Sequence, residues 1–221
     1  MSLCKRFKHK YIYLYKIFFN LLKSSRRCFS TYRKLDSYIQ TNKNIEKALT
    51  IRPDSYYNDD FFKIEKEQIF KKSWVAVGYT NELEKNNIIK SKVHDIPIII
   101  TSNKNGEIKG FYNVCRHRGC ELVKKSHRRP VIMCPYHRWT YTLDGDLKGV
   151  PLYKPDKEVF DKKDYSLYPI KTEVRNNIIF ANLDNNMETN VNDYYKDAFK
   201  ILDNYPLKKC KIVKEKTYNI N

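Results

Sequence analysis

Two short segments of the chain each combine a thiol with an imidazole. They are Cys115-Arg116-His117 and Cys134-Pro135-Tyr136-His137, and sixteen residues separate them. Thiolates and imidazoles bind iron–sulfur clusters and zinc, but a zinc finger normally groups its two thiols and then its two imidazoles. Because each segment here mixes the two, the pattern favours a [2Fe–2S] cluster over zinc. The expected ligands are Cys115 and Cys134 on one iron, and His117 and His137 on the other.

The surrounding sequence indicates strands that would hold these segments. Runs of β-branched and aromatic residues alternate with turn residues, which is typical of short strands. Two of these runs, 111–114 and 131–133, lead directly into the two segments, so the four side chains should meet at the tips of neighbouring loops. The predicted fold class is mainly β, a small antiparallel domain over residues 73–183 with flanking helices, α+β overall. The predicted strands are 73–79, 88–93, 96–101, 107–114, 140–143, 146–149, 168–174 and 177–183.

Turns, helices and a last strand complete the predicted elements. Asn105-Gly106 and Asp144-Gly145 each predict a type I′ hairpin turn, in which both central residues have positive φ. An amphipathic helix is predicted over residues 59–70, with Asp59 or Asp60 as its cap. A second helix is predicted over residues 192–204, and a final strand over residues 210–219.

The segments 111–119, 134–141 and 143–145 resemble the Rieske non-haem iron oxygenases, above all their choline- and carnitine-monooxygenase-like branch. The resemblance extends over about residues 55–221. It implies one [2Fe–2S] cluster per chain, with the family's ligand positions falling on Cys115, His117, Cys134 and His137. It also implies electrons from a ferredoxin or an NAD(P)H-dependent reductase, their transfer to a mononuclear Fe(II), a homotrimer, and a quaternary ammonium substrate.

Two positions depart from the family pattern. The family usually has Gly or Ala after the second histidine ligand, whereas this chain has Arg138. Respiratory Rieske proteins join the positions of Cys120 and Tyr136 by a disulfide, which a tyrosine cannot form. The departure favours the low-potential, oxygenase-like branch, near roughly −150 mV. Cys120 and Cys210 are then expected to be free thiols that act as buried small hydrophobic residues.

A second iron site is not evident in the sequence. The chain has five histidines, none after His137, and His9 falls in the N-terminal segment. His94, expected at a strand end, and His127, expected in an exposed loop, have no histidine partner at helical spacing for a two-His, one-carboxylate iron site. We therefore expect the electron-transfer portion of an oxygenase, with residues 184–221 forming a helix and the start of a catalytic domain. The alternatives are a stand-alone Rieske ferredoxin, which the extension beyond Leu183 disfavours, and a zinc-stabilised interaction module.

The N-terminal segment has the composition of an organelle presequence. Residues 1–35 contain ten Lys and Arg residues and no Asp or Glu, which contributes ten of the net +18 charges. This composition predicts a mitochondrial presequence, or a plastid one, that is removed near Phe29-Ser30. Residues 36–72 are then an N-terminal arm with a helix. No nucleic-acid partner is expected, because the basic residues do not form a known binding module.

Overall fold

The computed structural model describes residues 44, 46–51, 53–151 and 160–210. The chain divides into two compact units, Met1–Ile69 and Phe70–Asn221. The predicted presequence and the predicted strand beyond Cys210 lie outside the described residues. The sequence-based boundaries at residues 35, 72 and 183 stay predictions.

The described residues of the first unit contain two helices, α1 (Asp54–Tyr57) and α2 (Asp59–Gln68). The side chain of Asn58 accepts hydrogen bonds from the backbone N–H groups of Asp60 and Phe61, at 2.9 and 3.0 Å. The predicted cap at Asp59 or Asp60 is therefore wrong by one or two residues. Both aspartates lie instead in the first turn, where their charge suits the positive end of the helix dipole. Of the described helices, none is long and apolar enough to cross a membrane.

The described residues of the second unit form nine antiparallel strands in two sheets, which confirms the predicted fold class. The elements are β1 (Val75–Tyr79), α3 (Thr80–Lys85), β2 (Ile88–Val93), β3 (Ile96–Ser102), β4 (Ile108–Tyr112), β5 (Ile132–Met133), β6 (Thr140–Tyr141), β7 (Leu147–Gly149), β8 (Pro169–Arg175), β9 (Ile178–Asn182), α4 (Val191–Tyr194) and α5 (Lys196–Leu202). The larger sheet has the order β1-β9-β8-β4-β3-β2, and the smaller has the order β5-β6-β7. Short 3₁₀ turns lie at Phe70–Lys72, Lys162–Tyr165 and Leu207–Lys209.

The larger sheet is buried on both faces. Successive side chains of a strand point to opposite faces. Ile98 and Ile100 of β3 therefore pack in the core beneath one face, whereas Ile99 packs in the core that contains Cys115 and Cys134. The hydroxyl of Ser91 in β2 donates to the carbonyl of Val77 in β1 at 2.6 Å, so the two edge strands approach each other.

The smaller sheet is tied to the larger one by a buried side chain. Thr101 of β3 is fully buried, and its hydroxyl donates to the carbonyl of Leu143 at 2.7 Å. Leu143 follows β6, so this bond links the strand pair that precedes the first ligand segment to the sheet whose strands lie before and after the second ligand segment. Tyr141, Leu143 and Leu147 of the smaller sheet share a core with Ile99.

The predicted type I′ turns are wrong. Gly106 and Gly145 have φ of 79° and 90°, but the residues before them do not have positive φ. In both loops a side chain at the loop's start, that of Asn103 or Thr142, accepts two backbone hydrogen bonds. Such bonds compete with the strand ladder and widen the turn. A two-residue turn lies at His94-Asp95 instead, between β2 and β3, with φ of 58° at His94.

The C-terminal helix is interrupted. The predicted helix over residues 192–204 is two short helices, α4 and α5, which meet at Tyr195 with φ −107° and ψ 22°. The hydroxyl of Tyr195 donates to the carbonyl of Trp74, which lies just before β1. The break between the two helices thus occurs at the residue that contacts this end of the sheet. Trp74, Phe180, Val191 and Phe199 form the core between these helices and the sheet. Helix α3 was not predicted, since its six residues bury only Leu83.

Gly110 lies where the larger sheet leaves no room for a side chain. A β-carbon there would come within 2.7 Å of Ile170 Cγ1 and would overlap Thr172 Oγ1. Both neighbours are β-branched and stiff. We expect Gly110→Ala to lower the free energy of unfolding by about 1–3 kcal/mol, as overpacked cores do.

The matched control is Gly149→Ala in β7, where the nearest atom would lie 3.9 Å away. That variant should stay within about 0.5 kcal/mol of the wild type. Denaturant titration followed by circular dichroism measures both values. Equal stability of the two variants would contradict the packing at Gly110.

Candidate iron–sulfur site

The first ligand loop, residues 115–120, is closed by two backbone hydrogen bonds. The N–H of Cys115 donates to the carbonyl of Cys120 at 2.8 Å, and the N–H of Gly119 donates to the carbonyl of Cys115 at 3.0 Å. The turn requires a left-handed residue at Gly119, where φ is 68°. Glycine adopts this conformation without steric cost. The loop thereby folds back and presents His117 beyond the buried Cys115.

The second ligand loop, residues 134–139, repeats the same turn. The N–H of Cys134 donates to the carbonyl of Trp139 at 2.8 Å, and the N–H of Arg138 donates to the carbonyl of Cys134 at 3.1 Å. Arg138 has φ of 60° and occupies the place that Gly119 has in the first loop. A left-handed backbone favours glycine at this position, as in the first loop. In this chain an arginine adopts it at a steric cost.

The two thiols lie together in the interior. Cys115 and Cys134 are 3% and 1% exposed and belong to the same core. Burial raises the pKa of the Cys115 thiol, and the neighbouring Cys134 thiol raises it further, while the Tyr141 hydroxyl opposes both effects. Such a buried pair of thiols binds a metal ion by losing protons, because the ligand is the thiolate.

The two imidazoles form a second pair nearer the surface. The ring centroids of His117 and His137 are 4.7 Å apart, with the planes 70° from parallel. Trp139 stacks on His117 at 4.8 Å, and Tyr136 lies against His137 at 3.7 Å. The pKa of His117 is lowered, first by desolvation and then by the charges of His137 and Arg118. Neutral imidazole is the form that binds metals.

The donor set fits a binuclear cluster. The Nδ1 atom of His137 is buried and has no hydrogen-bond partner, which leaves a lone pair available for a metal. The thiols and the imidazoles are grouped as two pairs, and in the described residues no three His, Cys, Asp or Glu side chains surround one point. A structural zinc ion needs four ligands around one centre. The structure thus brings the four predicted ligand residues together as two pairs, thiol with thiol and imidazole with imidazole, which is the grouping that a cluster with thiolates on one iron and imidazoles on the other needs.

Two side chains that the sequence analysis did not assign to the site hold its loops. The hydroxyl of Tyr141 lies 3.3 Å from Cys115 Sγ and accepts a hydrogen bond from the N–H of Arg116 at 3.1 Å. Burial and the Cys115 thiol raise the pKa of Tyr141 well above its usual range. The alternation of apolar and polar residues in β6 predicts that the side chain of Tyr141 points inward. It does not predict that the hydroxyl contacts Cys115.

Asn113 fastens the chain that follows the first ligand loop. It is 1% exposed, and its Oδ1 accepts from the backbone N–H groups of Leu122 and Val123 at 3.1 and 2.9 Å. Its Nδ2 donates to the carbonyl of Val123 at 2.8 Å. Because these partners are nine and ten residues away, no local pattern identifies the role of Asn113.

The other cysteines and histidines that the structure describes lie outside the ligand pairs. Cys120 has a free, half-buried thiol, whose pKa is raised by burial and by the nearby Cys134 thiol. The expectation that Cys210 is buried is wrong, since it is exposed. His94 lies in the turn after β2, as expected. His127 is not in an exposed loop, because it extends the sheet through two backbone hydrogen bonds to Ile88.

Comparison with known proteins identifies the domain. The family model described as Rieske [2Fe-2S] domain matches residues 73–170. The carnitine monooxygenase oxygenase subunit of Acinetobacter baumannii is 40% identical over 145 residues, which are 65% of this chain and 39% of that protein. The glycine betaine monooxygenase oxygenase subunit of Pseudomonas aeruginosa is 31% identical over 170 residues, which are 75% of this chain and 38% of that protein.

A solved structure agrees with these relatives. The apo form of the quaternary ammonium Rieske monooxygenase CntA superposes with a TM-score of 0.65 at 38% identity, over 71% of this chain and 46% of that chain. The chain spans about two fifths of the length of the curated relatives it matches. The similarity therefore covers the Rieske domain and its surroundings.

The hydrogen bond from Tyr141 to Cys115 sulfur should raise the reduction potential of a cluster bound there. Hydrogen bonds to the sulfur ligands stabilise the more negative, reduced state. We expect Tyr141→Phe to lower the potential by roughly 40–90 mV, which corresponds to about 1–2 kcal/mol for one electron.

The matched control is Tyr136→Phe, because Tyr136 is 61% exposed and its ring, which the variant keeps, is the part that contacts His137. Its potential should equal that of the wild type. Redox titration followed by electron paramagnetic resonance measures both. An unchanged potential in Tyr141→Phe would exclude a hydrogen bond to the cluster ligand.

Proposed function

We propose that this chain, which belongs to the Rieske non-haem iron oxygenases, is the portion of such an enzyme that passes electrons to a mononuclear iron. The observation that carries the proposal is the pairing of two buried thiols with two imidazoles nearer the surface. The family is one of oxidoreductases, and its members have mononuclear iron in a catalytic domain outside the part that this chain matches.

Each ligand pair has its own task in this proposal. Cys115 and Cys134 would hold the inner iron as thiolates, and His117 and His137 would hold the outer iron, His137 through its unpartnered Nδ1. A [2Fe–2S] cluster with two imidazole ligands takes up one electron at a higher potential than one with four thiolates. The reason is that an imidazole ligand is neutral and a thiolate is negative, so two imidazoles leave the cluster less negative than two thiolates would.

The surrounding side chains control access to the ligands. The indole of Trp139 is 7% exposed and covers one face of the His117 ring, which excludes water from that side. His117 is exposed and His137 is half-buried, and both line a surface cavity of about 520 Å³ with Tyr136 and Arg138. Electrons therefore enter and leave through the imidazole side, since core residues surround the thiols.

The substrate and partners of the complete oxygenase follow from its relatives. The matched subunits are named for carnitine and glycine betaine, and another relative is the choline monooxygenase of Spinacia oleracea. We infer a quaternary ammonium substrate, with a ferredoxin or an NAD(P)H-dependent reductase as the donor. For CntA a solved structure is described as giving insight into inter-subunit electron transfer. A homotrimer, in which one subunit's cluster supplies another's iron, would permit such transfer.

Iron and sulfide analysis tests the electron-transfer role. The chain of 221 residues should bind two irons and two sulfides, and it should show the electron paramagnetic resonance signal of a reduced Rieske cluster. Cys115→Ser should lose both the colour and the signal, because the serine hydroxyl does not replace the thiolate. The matched control is Cys120→Ser, which should keep the cluster, because Cys120 is outside the ligand pairs.

The same protein should not consume oxygen when choline or carnitine is added. Oxygen activation needs an iron with open positions, held by two histidines and a carboxylate. A third tightly bound iron, or substrate-dependent oxygen uptake by this polypeptide alone, would contradict the assignment to electron transfer only. A full complement of zinc in place of iron would favour the zinc-stabilised module.

We also propose import into an organelle, mitochondrial before plastid, on the composition of residues 1–35. A reporter fused to these residues should enter mitochondria, and mass spectrometry of the native protein should find its N-terminus near Phe29-Ser30. The control carries Gln in place of Arg26 and Arg27, which removes part of the positive charge that import requires. A mature N-terminus at Met1 or Ser2 would contradict the proposal.

A further inference from the structure

Two arginines flank the imidazole pair. Arg118 directly follows His117 and Arg138 directly follows His137, and both arginines are exposed. Arg138 lines the same cavity as the two histidines. Arg118 adjoins His117, which lines that cavity too. The surface through which electrons reach the ligands is therefore bordered by two positive charges.

These two charges are not neutralised by the described residues around them. Among those residues, no hydrogen bond or ion pair engages the guanidinium group of Arg118 or Arg138. Arg116 and Arg128, by contrast, donate to backbone carbonyls, at 2.6 Å each in their shortest contacts. The one acidic residue in segment 115–139, Glu121, is paired with Lys90 at 2.7 Å.

The nearby 3₁₀ turn does not offset the positive charge. Asp161 caps it and Asp164 lies within it, but Lys162 and Lys163 balance the two acids. Over segment 115–139 the excess is large, since seven basic residues stand against one acidic residue. The basic residues are Arg116, Arg118, Lys124, Lys125, Arg128, Arg129 and Arg138.

The centre of this surface has the chemistry of a protein interface. Tyr136 is 61% exposed, and its ring lies against His137. Exposed tyrosine and arginine side chains are enriched where proteins bind one another. An exposed aromatic ring and an arginine beside the two histidines therefore suit a protein partner better than a small reductant.

The backbone of Arg138 is a second, independent observation. Its φ of 60° is unfavourable for every residue but glycine, and the equivalent turn in the first loop uses Gly119. A strained residue beside a functional group is a reason to look for a role of its side chain. The role available to an exposed guanidinium with no described partner is to bind a carboxylate of another molecule.

We infer that Arg118 and Arg138 form a docking rim for an electron-donor protein with an acidic surface. The inference rests on the proposed electron-transfer function and adds the chemistry of the partner. Carboxylates of the donor would pair with the two guanidinium groups, and Tyr136 would lie against the donor's surface between them. The donor's electron then reaches the cluster over the short path through the edge of His117 or His137. Opposite charges on the two surfaces also speed the encounter.

Stopped-flow reduction of the cluster-loaded chain tests the inference. The electron donor is a reduced acidic plant-type [2Fe–2S] ferredoxin, and the variant carries Arg118→Gln and Arg138→Gln. The second-order rate should fall about tenfold at low salt, within the range that charge steering produces. The rate of the variant should also change less with salt concentration than the rate of the wild type, because fewer opposite charges meet. The variant with Arg118→Lys and Arg138→Lys, which keeps the charges, should retain most of the rate.

Two controls separate docking from other effects. A variant with Lys104→Gln and Lys209→Gln loses the same charge outside the cavity and should keep the wild-type rate. Reduced methyl viologen, a small cationic reductant, should reduce the arginine variant no more slowly than the wild type. The electron paramagnetic resonance signal of the arginine variant should match that of the wild type, and the midpoint potential of each variant is measured so that the rates can be corrected for a change in driving force.

Several results would overturn the inference. One is an unchanged rate of reduction by ferredoxin in the arginine variant. Another is an equal loss of rate in the control with Lys104→Gln and Lys209→Gln. An equal slowing of the arginine variant with ferredoxin and with methyl viologen would show that the arginines act on the cluster and not on docking. If methyl viologen fails to reduce even the wild type, the proposed function fails as well, which distinguishes that outcome from the failure of docking alone.

Discussion

The backbone turn that closes on each cysteine is the constraint on which the site depends. Cys115 and Cys134 each bind, through their own N–H and carbonyl, the residues five and four positions further along the chain. Because both turns are the same, both cysteines enter the core in the same way and both histidines stay outside it. Two loops that differ in ligand spacing thereby produce one pair of thiols and one pair of imidazoles. The sheets hold the two turns in place. Thr101 joins the two sheets by a hydrogen bond, and Asn113 binds the chain that follows the first loop.

The separation of the two pairs between interior and surface follows from this arrangement. The thiols are buried beside Tyr141, whose hydroxyl offers a hydrogen bond to sulfur, so the electron-rich part of the site is shielded from water. The imidazoles are in contact with Trp139 and Tyr136 and border an open cavity. An electron carrier needs both properties, because a dry interior stabilises its ligands and an exposed edge brings the partner within reach. Among the described residues, the two conditions meet at this site.

Arg138 shows how the same turn connects stability with recognition. The turn demands a left-handed residue, and an arginine there is less stable than a glycine by roughly 1–2 kcal/mol. The strain stays local, because the N–H of Arg138 still makes its hydrogen bond to Cys134 and the hydroxyl of Thr140 donates to the carbonyl of Arg138. The backbone of Arg138 is held directly after His137, and Arg138 lines the cavity with the two histidines. The position that glycine would occupy at no steric cost thus places a positive charge at the border of the site.

The sequence by itself determined the local features of this protein. The bounds of strand β2 follow from its β-branched residues, and the residue types and spacing of the two Cys–His segments are enough to identify the ligand candidates. Only the tertiary structure decided how Asn103 and Thr142 widen the turns, why the last helix breaks at Tyr195, and that His127 joins the sheet. It also decided that Tyr141 meets Cys115 and that Arg138 is left-handed. The physical reason is distance along the chain: propensity and periodicity act within a few residues, whereas these features depend on hydrogen bonds and packing between segments up to 121 residues apart.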